Sequence, residues 1–171
     1  MRKALFATSL FVLLSTPAAL QAQIDLGAQG SWGDKFDFAA GARVTLGLPG
    51  SLPLELHGTF DYFFPELEKT KYWELNGNLT AFVPNLRGFM PYAGLGVNVA
   101  RMQVKGELEG EEFDINTSEF GFNVLGGLKY KTGSLAPFGE VRWESGGGEQ
   151  VVVSIGLMLN VGPGLTPVTP D

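Results

Sequence analysis

Two rows of residues carry side chains that could do chemistry. Glu55, His57, Thr59 and Asp61 alternate along one stretch, and Glu140, Arg142 and Glu144 alternate along FGEVRWE. His57 is the only histidine. As a general base it would need a nucleophile or a second acid within hydrogen-bond reach. No Ser–His–acid order surrounds it, so His57 reads as structural. The Glu–Arg–Glu row has three readings: an ion-pair plug, a gate, or a catalytic row. A third cluster lies in VKGELEGEEFDINTSE (104–119), where Glu107, Glu109, Glu111, Glu112 and Asp114 crowd together. Clustered carboxylates suit hard cations such as Ca²⁺ or Mg²⁺. The spacing does not match an EF-hand, and the stretch reads as a solvated loop. Gly94-Leu-Gly96 and Gly146-Gly-Gly148 precede no helix, so neither is a phosphate cradle. The chain has no cysteine, which excludes disulfides, thiolate nucleophiles and Cys-based zinc sites. No catalytic, cofactor-binding or metal-binding residue is assigned, and no cofactor is expected.

The elements that position these residues follow from a two-residue period. After residue 22 no segment sustains the 3.6-residue apolar period of a helix, whereas runs of period two recur between turn residues. Strands are predicted at about 23–32, 36–48, 53–63, 72–83, 89–101, 118–130, 136–145 and 150–161. One face of every strand is apolar, as in Phe36, Phe38, Ala40, Ala42, Val44, Leu46 and Leu48 of the second. Glu140, Arg142 and Glu144 share the opposite face with Arg43, Glu55, His57 and Lys129, among many glycines.

An apolar face of this kind can turn inward in a soluble barrel or outward against lipid. The aromatic residues favour lipid. Trp32, Tyr62, Trp73 and Trp143 fall at one end of their strands, joined there by Phe36, Phe63, Phe64 and Tyr72. Phe89 and Tyr130 fall at the other end. Two aromatic girdles around an apolar band mark a membrane barrel. Connections agree, because PGSLP (49–53), PNLRG (84–88) and KTGSL (131–135) are tight, and two of the alternate connections, 64–71 and about 102–117, are long. Eight strands leave an interior only wide enough for side chains. Arg43, Glu55, His57, Lys129, Glu140 and Arg142 are therefore candidates for an ion-pair network inside. An unpaired buried charge costs several kcal/mol, and Arg142 against lipid would cost roughly 2–4 kcal/mol.

The first 22 residues, MRKALFATSLFVLLSTPAALQA, place Arg2 and Lys3 before a short apolar run, Pro17 and small residues. That is a cleaved secretory signal, too short to span a bilayer as a helix. The formal net charge is −6, and two units more negative without Arg2 and Lys3, which argues against nucleic acid as a partner. Residues 23–161 then form the barrel, and 162–171 a short Pro-rich periplasmic tail.

PYAGLGVNV, FGFNVLGGLKY and FGEVRW, with the closing pattern of Ser154, Gly156, Leu159 and Val161, resemble the strands of the small OmpA/OmpX-type outer-membrane β-barrel family. The resemblance covers 23–161. It departs from the family pattern in ending on Val161 rather than an aromatic residue, and in the Pro-rich tail. It implies an eight-stranded antiparallel up-and-down transmembrane β-barrel, a monomer in the bacterial outer membrane. Outer-membrane lipid, lipopolysaccharide and the assembly machinery would be its partners. A structural, envelope-integrity or surface-interaction role is implied. A lipid A-modifying enzyme and a narrow ion-conducting pore are the alternatives, with a soluble lipocalin-like carrier behind them.

Overall fold

The computed structural model describes residues 23–65, 70–83, 87–108, 111–146 and 149–162, with the backbone alone at 107–108 and 111–112. The expected signal segment, the expected tail beyond Gly162, and Glu109 of the acidic cluster lie outside these residues. Eight strands follow one another: β1 (Ile24–Gly33), β2 (Asp37–Gly47), β3 (Leu54–Phe63), β4 (Thr70–Phe82), β5 (Phe89–Leu108), β6 (Glu111–Tyr130), β7 (Leu135–Ser145) and β8 (Gln150–Asn160). Each pairs antiparallel with its neighbours, and β1 pairs with β8 from Asp25↔Asn160 to Gly33↔Val152, closing the barrel without an edge inside the wall.

The two-residue period becomes two surfaces. Leu26, Leu56, Leu75, Leu95, Phe122, Val124, Val141 and Ile155 are exposed on the outside, while the alternate positions are buried. An apolar surface that runs round the whole barrel is far larger than a soluble protein tolerates, and lipid is the solvent that suits it. The fold is a transmembrane-type β-barrel. Of the girdle residues, Trp32, Trp143 and Tyr130 are exposed, whereas Tyr62 and Trp73 are half-buried as a directly opposed cross-strand pair. Phe89 and Tyr130 pack together at the opposite end, ring centroids 4.7 Å apart. The three short turns each place a glycine at positive φ (Gly50, Gly88 and Gly133), a conformation that side chains with a Cβ resist.

Two regions differ from the sequence pattern. Phe36, phased with the lipid-facing residues of the second strand, turns inward instead and stacks on Tyr72 with ring centroids 3.8 Å apart. The reason is local. Asp37 takes φ 60°, a left-handed conformation that Asp tolerates, and this breaks the alternation one residue before β2 settles into it. The second difference is larger. Residues 102–117, predicted as a long loop, are mostly strand. β5 and β6 each run for 20 residues and stay in register from Phe89↔Tyr130 to Leu108↔Glu111. The acidic stretch is therefore the far end of a hairpin that outreaches the rest of the wall.

Candidate functional site

The barrel interior holds all six sequence-predicted polar candidates. Arg43, Glu55, His57, Lys129, Glu140 and Arg142 are each at most 5% exposed. The strands bring them together in three tiers rather than one row.

Nearest the short turns, Lys129 Nζ from β6 donates to Glu55 Oε2 of β3 at 2.9 Å and lies 4.0 Å from Asp25 of β1. His57 Nε2 is 3.0 Å from Glu55 Oε2 and 3.1 Å from the Thr80 hydroxyl. Among the described residues the other ring nitrogen, Nδ1, has no hydrogen-bond partner, and neither does the Thr59 hydroxyl two residues on. A base needs a group to orient it and a proton to take. His57 has a carboxylate beside it, but it is buried in the barrel interior.

In the middle tier Arg43 of β2 clasps Glu140 of β7 with both terminal nitrogens, at 2.8 and 2.7 Å. This two-pronged geometry suits a guanidinium, which matches a carboxylate fork to fork. Its Nε donates to Gln29 Oε1 at 2.9 Å, and its guanidinium lies over the Phe138 ring, 4.2 Å from the centroid. Tyr92 completes the tier by donating its hydroxyl proton to Glu140 Oε2 at 2.9 Å.

The outer tier centres on Arg142, which is 0% exposed. Its Nε donates to Glu144, its Nη2 donates to Asp61 Oδ2 at 3.2 Å and lies 3.8 Å from Glu74 Oε2, and its Nη1 reaches Glu140 Oε1 at 3.5 Å. Asp61 and Glu74 face each other directly across the β3–β4 ladder. Like charges in that position repel. Arg142, arriving from β7, is the cation that makes the pair tolerable. Gln150 bridges the remainder, its amide donating to Glu74 Oε1 at 2.7 Å and Glu144 Oε2 at 3.1 Å. Sequence reasoning missed Asp61 and Glu74 as members of this network, and placed Glu144 in the inward row without counting it among the six candidates. Their signal was their shared interior parity with Arg142.

A neutral wall fills the side lined by β4, β5 and β6. Asn123 Nδ2 donates to Asn76 Oδ1 at 2.9 Å and Asn78 Oδ1 at 3.0 Å, next to Asn98. Above the charged tiers the mouth is closed by apolar side chains. Phe63, Tyr72, Ala39, Ala100 and Val152 are buried there, with Phe36 and Met102 packed on them.

Beyond that cap the β5–β6 hairpin reverses its faces. Below it, Val97, Val99, Phe120 and Phe122 point outward and Asn98 and Asn123 inward. Above it, the outward positions are Arg101, Gln103, Lys105, Asp114, Asn116 and Ser118, whereas the axial positions are Met102 and Val104 on β5 and, on β6, Glu119 and Thr117 nearest the cap and then Ile115 and Phe113. The polar residues zip together: Arg101 Nε to Asn116 Oδ1 at 3.2 Å, Gln103 Nε2 to Asp114 at 3.0 Å, and Lys105 Nζ to Asp114 at 3.3 Å. On the outward face the change from apolar to polar side chains falls at Arg101↔Ser118.

No protein-family model matches the chain, and no curated relative matches it in sequence. Solved structures do. A major outer membrane protein from Thermus thermophilus matches with TM-score 0.62 at 12% identity, over 82% of this chain and 99% of that one. The N-terminal β-barrel domain of Pseudomonas aeruginosa OprF matches with TM-score 0.61 at 14% identity, again over 82% and 99%. Ail, the attachment invasion locus protein of Yersinia pestis, matches with TM-score 0.58 at 12% identity, over 81% and 97%. The chain shares the eight-stranded outer-membrane barrel fold with all three.

Proposed function

We propose that the protein is an integral outer-membrane barrel whose lumen is a structural ion-pair plug and whose working surface is the protruding β5–β6 hairpin. In this reading residues 1–22 are removed on export. Outer-membrane lipid and lipopolysaccharide surround the wall, the outer-membrane assembly machinery reads the pattern of β8, and the barrel acts as a monomer. The observation that carries the reading is the reversal of faces at Arg101↔Ser118, which supports a hairpin built for water on a barrel built for lipid. Strand pairing continued so far past the aromatic girdle does nothing for membrane anchorage. It fits a role in contact with something outside, and Ail, a protein named for attachment and invasion, has the same fold.

The alternatives draw less support. A lipid A-modifying enzyme would need its base open to an acyl ester, and His57 is 2% exposed beneath two further tiers of side chains. A narrow pore would have to pass Arg142, which contacts four carboxylates, and then the apolar cap.

The chain has no cysteine, so a single Asn116→Cys substitution reports on the hairpin alone. Labelling of intact cells by a membrane-impermeant thiol reagent is the expected result, with the purified protein changing gel mobility on boiling. Labelling only after lysis would overturn the reading. Lipid A mass spectra that change with the protein but not with His57→Ala would indicate another site, and spectra that change with both would establish the enzyme.

A further inference from the structure

We infer that the outer wall of β3, β4 and β5 holds one phosphate-bearing lipid of the leaflet on the hairpin side. Its phosphate sits between Lys71 and Arg101, and one acyl chain runs down to Gly58 and Gly77. The site rests on the outer-membrane reading, and singles out one lipid position on a wall that all lipids touch.

The wall is not evenly ridged. Gly58 and Gly77 stand directly opposite each other across the β3–β4 ladder, on the lipid-facing side. Val44 flanks Gly58 and Val97 flanks Gly77. A Cβ on Gly77 would meet nothing within 4 Å, and one on Gly58 only Val44 Cγ1 at 3.1 Å. Nearer the short turns, Leu46, Leu56, Leu79 and Leu95 form a continuous row across the same four strands. Glycine floor and leucine step together bound a recess of about 510 Å³. In the apolar band of the wall, a hydrocarbon chain is the filling that suits it.

A second recess lies above the first on the same strands. Tyr62, Lys71, Trp73, Arg101 and Gln103 line about 290 Å³ at the end that carries the hairpin. Trp73 stands opposite Tyr62 on one side and Arg101 on the other, and Lys71 stands opposite Gln103. Arg101 bonds Asn116 through Nε, and the exposed Lys71 has no ion-pair partner among the described residues. Asp114, an acid on the same outward face, is already held by Gln103 and Lys105. Two cations beside aromatic rings at a headgroup level make a phosphate site, because guanidinium and ammonium both bind phosphate oxygens and the rings tolerate the interface.

The spacing fits one lipid molecule. Lys71 and Gly77 are six residues apart on β4, about 20 Å along a strand at roughly 3.3 Å per residue. With a strand tilt of about 40° that is about 15 Å of depth, half of a hydrocarbon core of about 30 Å. A chain hung from a phosphate at Lys71 therefore ends over the glycine floor, against the leucine row. Phe60, between the two recesses on β3, leans toward Trp73 with ring centroids 5.9 Å apart. A second copy of the chain, standing the same way up against this face, would set these cations against their own counterparts.

The test uses the refolded barrel in phosphatidylcholine nanodiscs, with chain-brominated phosphatidylglycerol or chain-brominated phosphatidylcholine added in steps to quench tryptophan. Trp32→Phe with Trp143→Phe leaves Trp73 as the reporter, and Trp32→Phe with Trp73→Phe leaves Trp143 on β7 as the control. With two cations at the site, half-maximal quenching of Trp73 should need about tenfold less of the phosphatidylglycerol than of the phosphatidylcholine. At Trp143 the two lipids should be equivalent. Lys71→Gln with Arg101→Gln should abolish the preference while gel mobility still changes on boiling. Gly77→Leu, which fills the floor, should raise the phosphatidylglycerol fraction that Trp73 requires. Equal half-points at Trp73, the same preference at Trp143, or no change in either variant would overturn the inference. So would quenching of Trp143 but not Trp73, which would make a second copy the cover of this face. In each of these cases the outer-membrane reading stands, whereas quenching of neither tryptophan would overturn both.

Discussion

Val124, Phe122 and Phe120 share one face of β6 with Ser118, Asn116 and Asp114, in a single unbroken ladder with β5. The lower three are exposed, large and apolar, and the upper three are exposed and polar. Backbone conformation, register and exposure do not change along this line, but side-chain chemistry does. On the opposite face the change runs the other way but later, from Asn123, Glu119 and Thr117 to Ile115 and Phe113 at the far end. The contrast teaches that period two fixes only which residues share a face. Which face is apolar is set by the solvent on that side of the strand, and a change of chemistry partway along one face is what the proposed passage from lipid to water would produce.

The comparison breaks most readily inside the barrel, at Arg142. Replacing it with Ala leaves Asp61, Glu74, Glu140 and Glu144 crowded without their shared cation. Removing one partner of a buried ion pair costs about 3–5 kcal/mol, and that loss should appear as a lower midpoint in urea titration of the barrel in detergent. Arg142→Lys keeps the charge but not the spread of donors over four carboxylates, and should fall between Ala and the native protein. A change below about 0.5 kcal/mol in Arg142→Ala, the size of an ordinary surface substitution, would sink the plug.

A sharper version uses one face of one strand. Val124→Arg places a guanidinium against lipid and should cost roughly 2–4 kcal/mol. Asn116→Arg, eight residues earlier on that face, should cost less than about 0.5 kcal/mol. Equal costs would mean that lipid reaches the hairpin or never touches Val124.

Arg43→Lys comes next. It should lose one of the two hydrogen bonds to Glu140, about 1.5–3 kcal/mol for a bond to a charged group, and Arg43→Met should be worse because Glu140 keeps only Arg142 at 3.5 Å and Tyr92.

Much of this was legible in the residues. The eight strands, the closed barrel and the inward parity of Arg43, Glu55, His57, Lys129, Glu140 and Arg142 all follow from alternation, because one lipid-facing surface imposes one rule on every strand. What alternation does not encode is who meets whom across the interior. Arg142 reaches Asp61 and Glu74 because strand tilt and stagger bring β7 opposite β3 and β4, a property of closure rather than of any one strand. The hairpin was hidden for a related reason. Past Arg101 the apolar residues move to the axial face, so a strand obeying a new solvent looks like a pattern lost, and Gly106 adds to that impression. In the structure the Phe113 ring covers Gly106, supplying the packing the glycine lacks. Phe36 misled through a single left-handed residue, Asp37.

The smallest effect lies at the hairpin's exposed end and depends on pH. Asp114 is held below the usual aspartate range, chiefly by the Gln103 amide that donates to both its oxygens, and further by Lys105. A carboxylate whose pKa is lowered on folding stabilises the folded form above its unfolded pKa, about 3.9, and loses that contribution as pH falls through the lower folded value. Pairing at Lys105↔Asp114 should therefore be unchanged from neutral pH to about 4 and loosen below it. Interior pairs such as Arg43–Glu140, shielded from solvent, should hold over the same interval. Amide exchange at Gln103 and Asp114, read against that at Arg43 and Glu140 through one acid titration, measures the difference. Loosening that begins near pH 6 would assign the hairpin's stability to another group, and simultaneous loosening of both regions would remove the distinction between a plug built for lipid and a hairpin built for water.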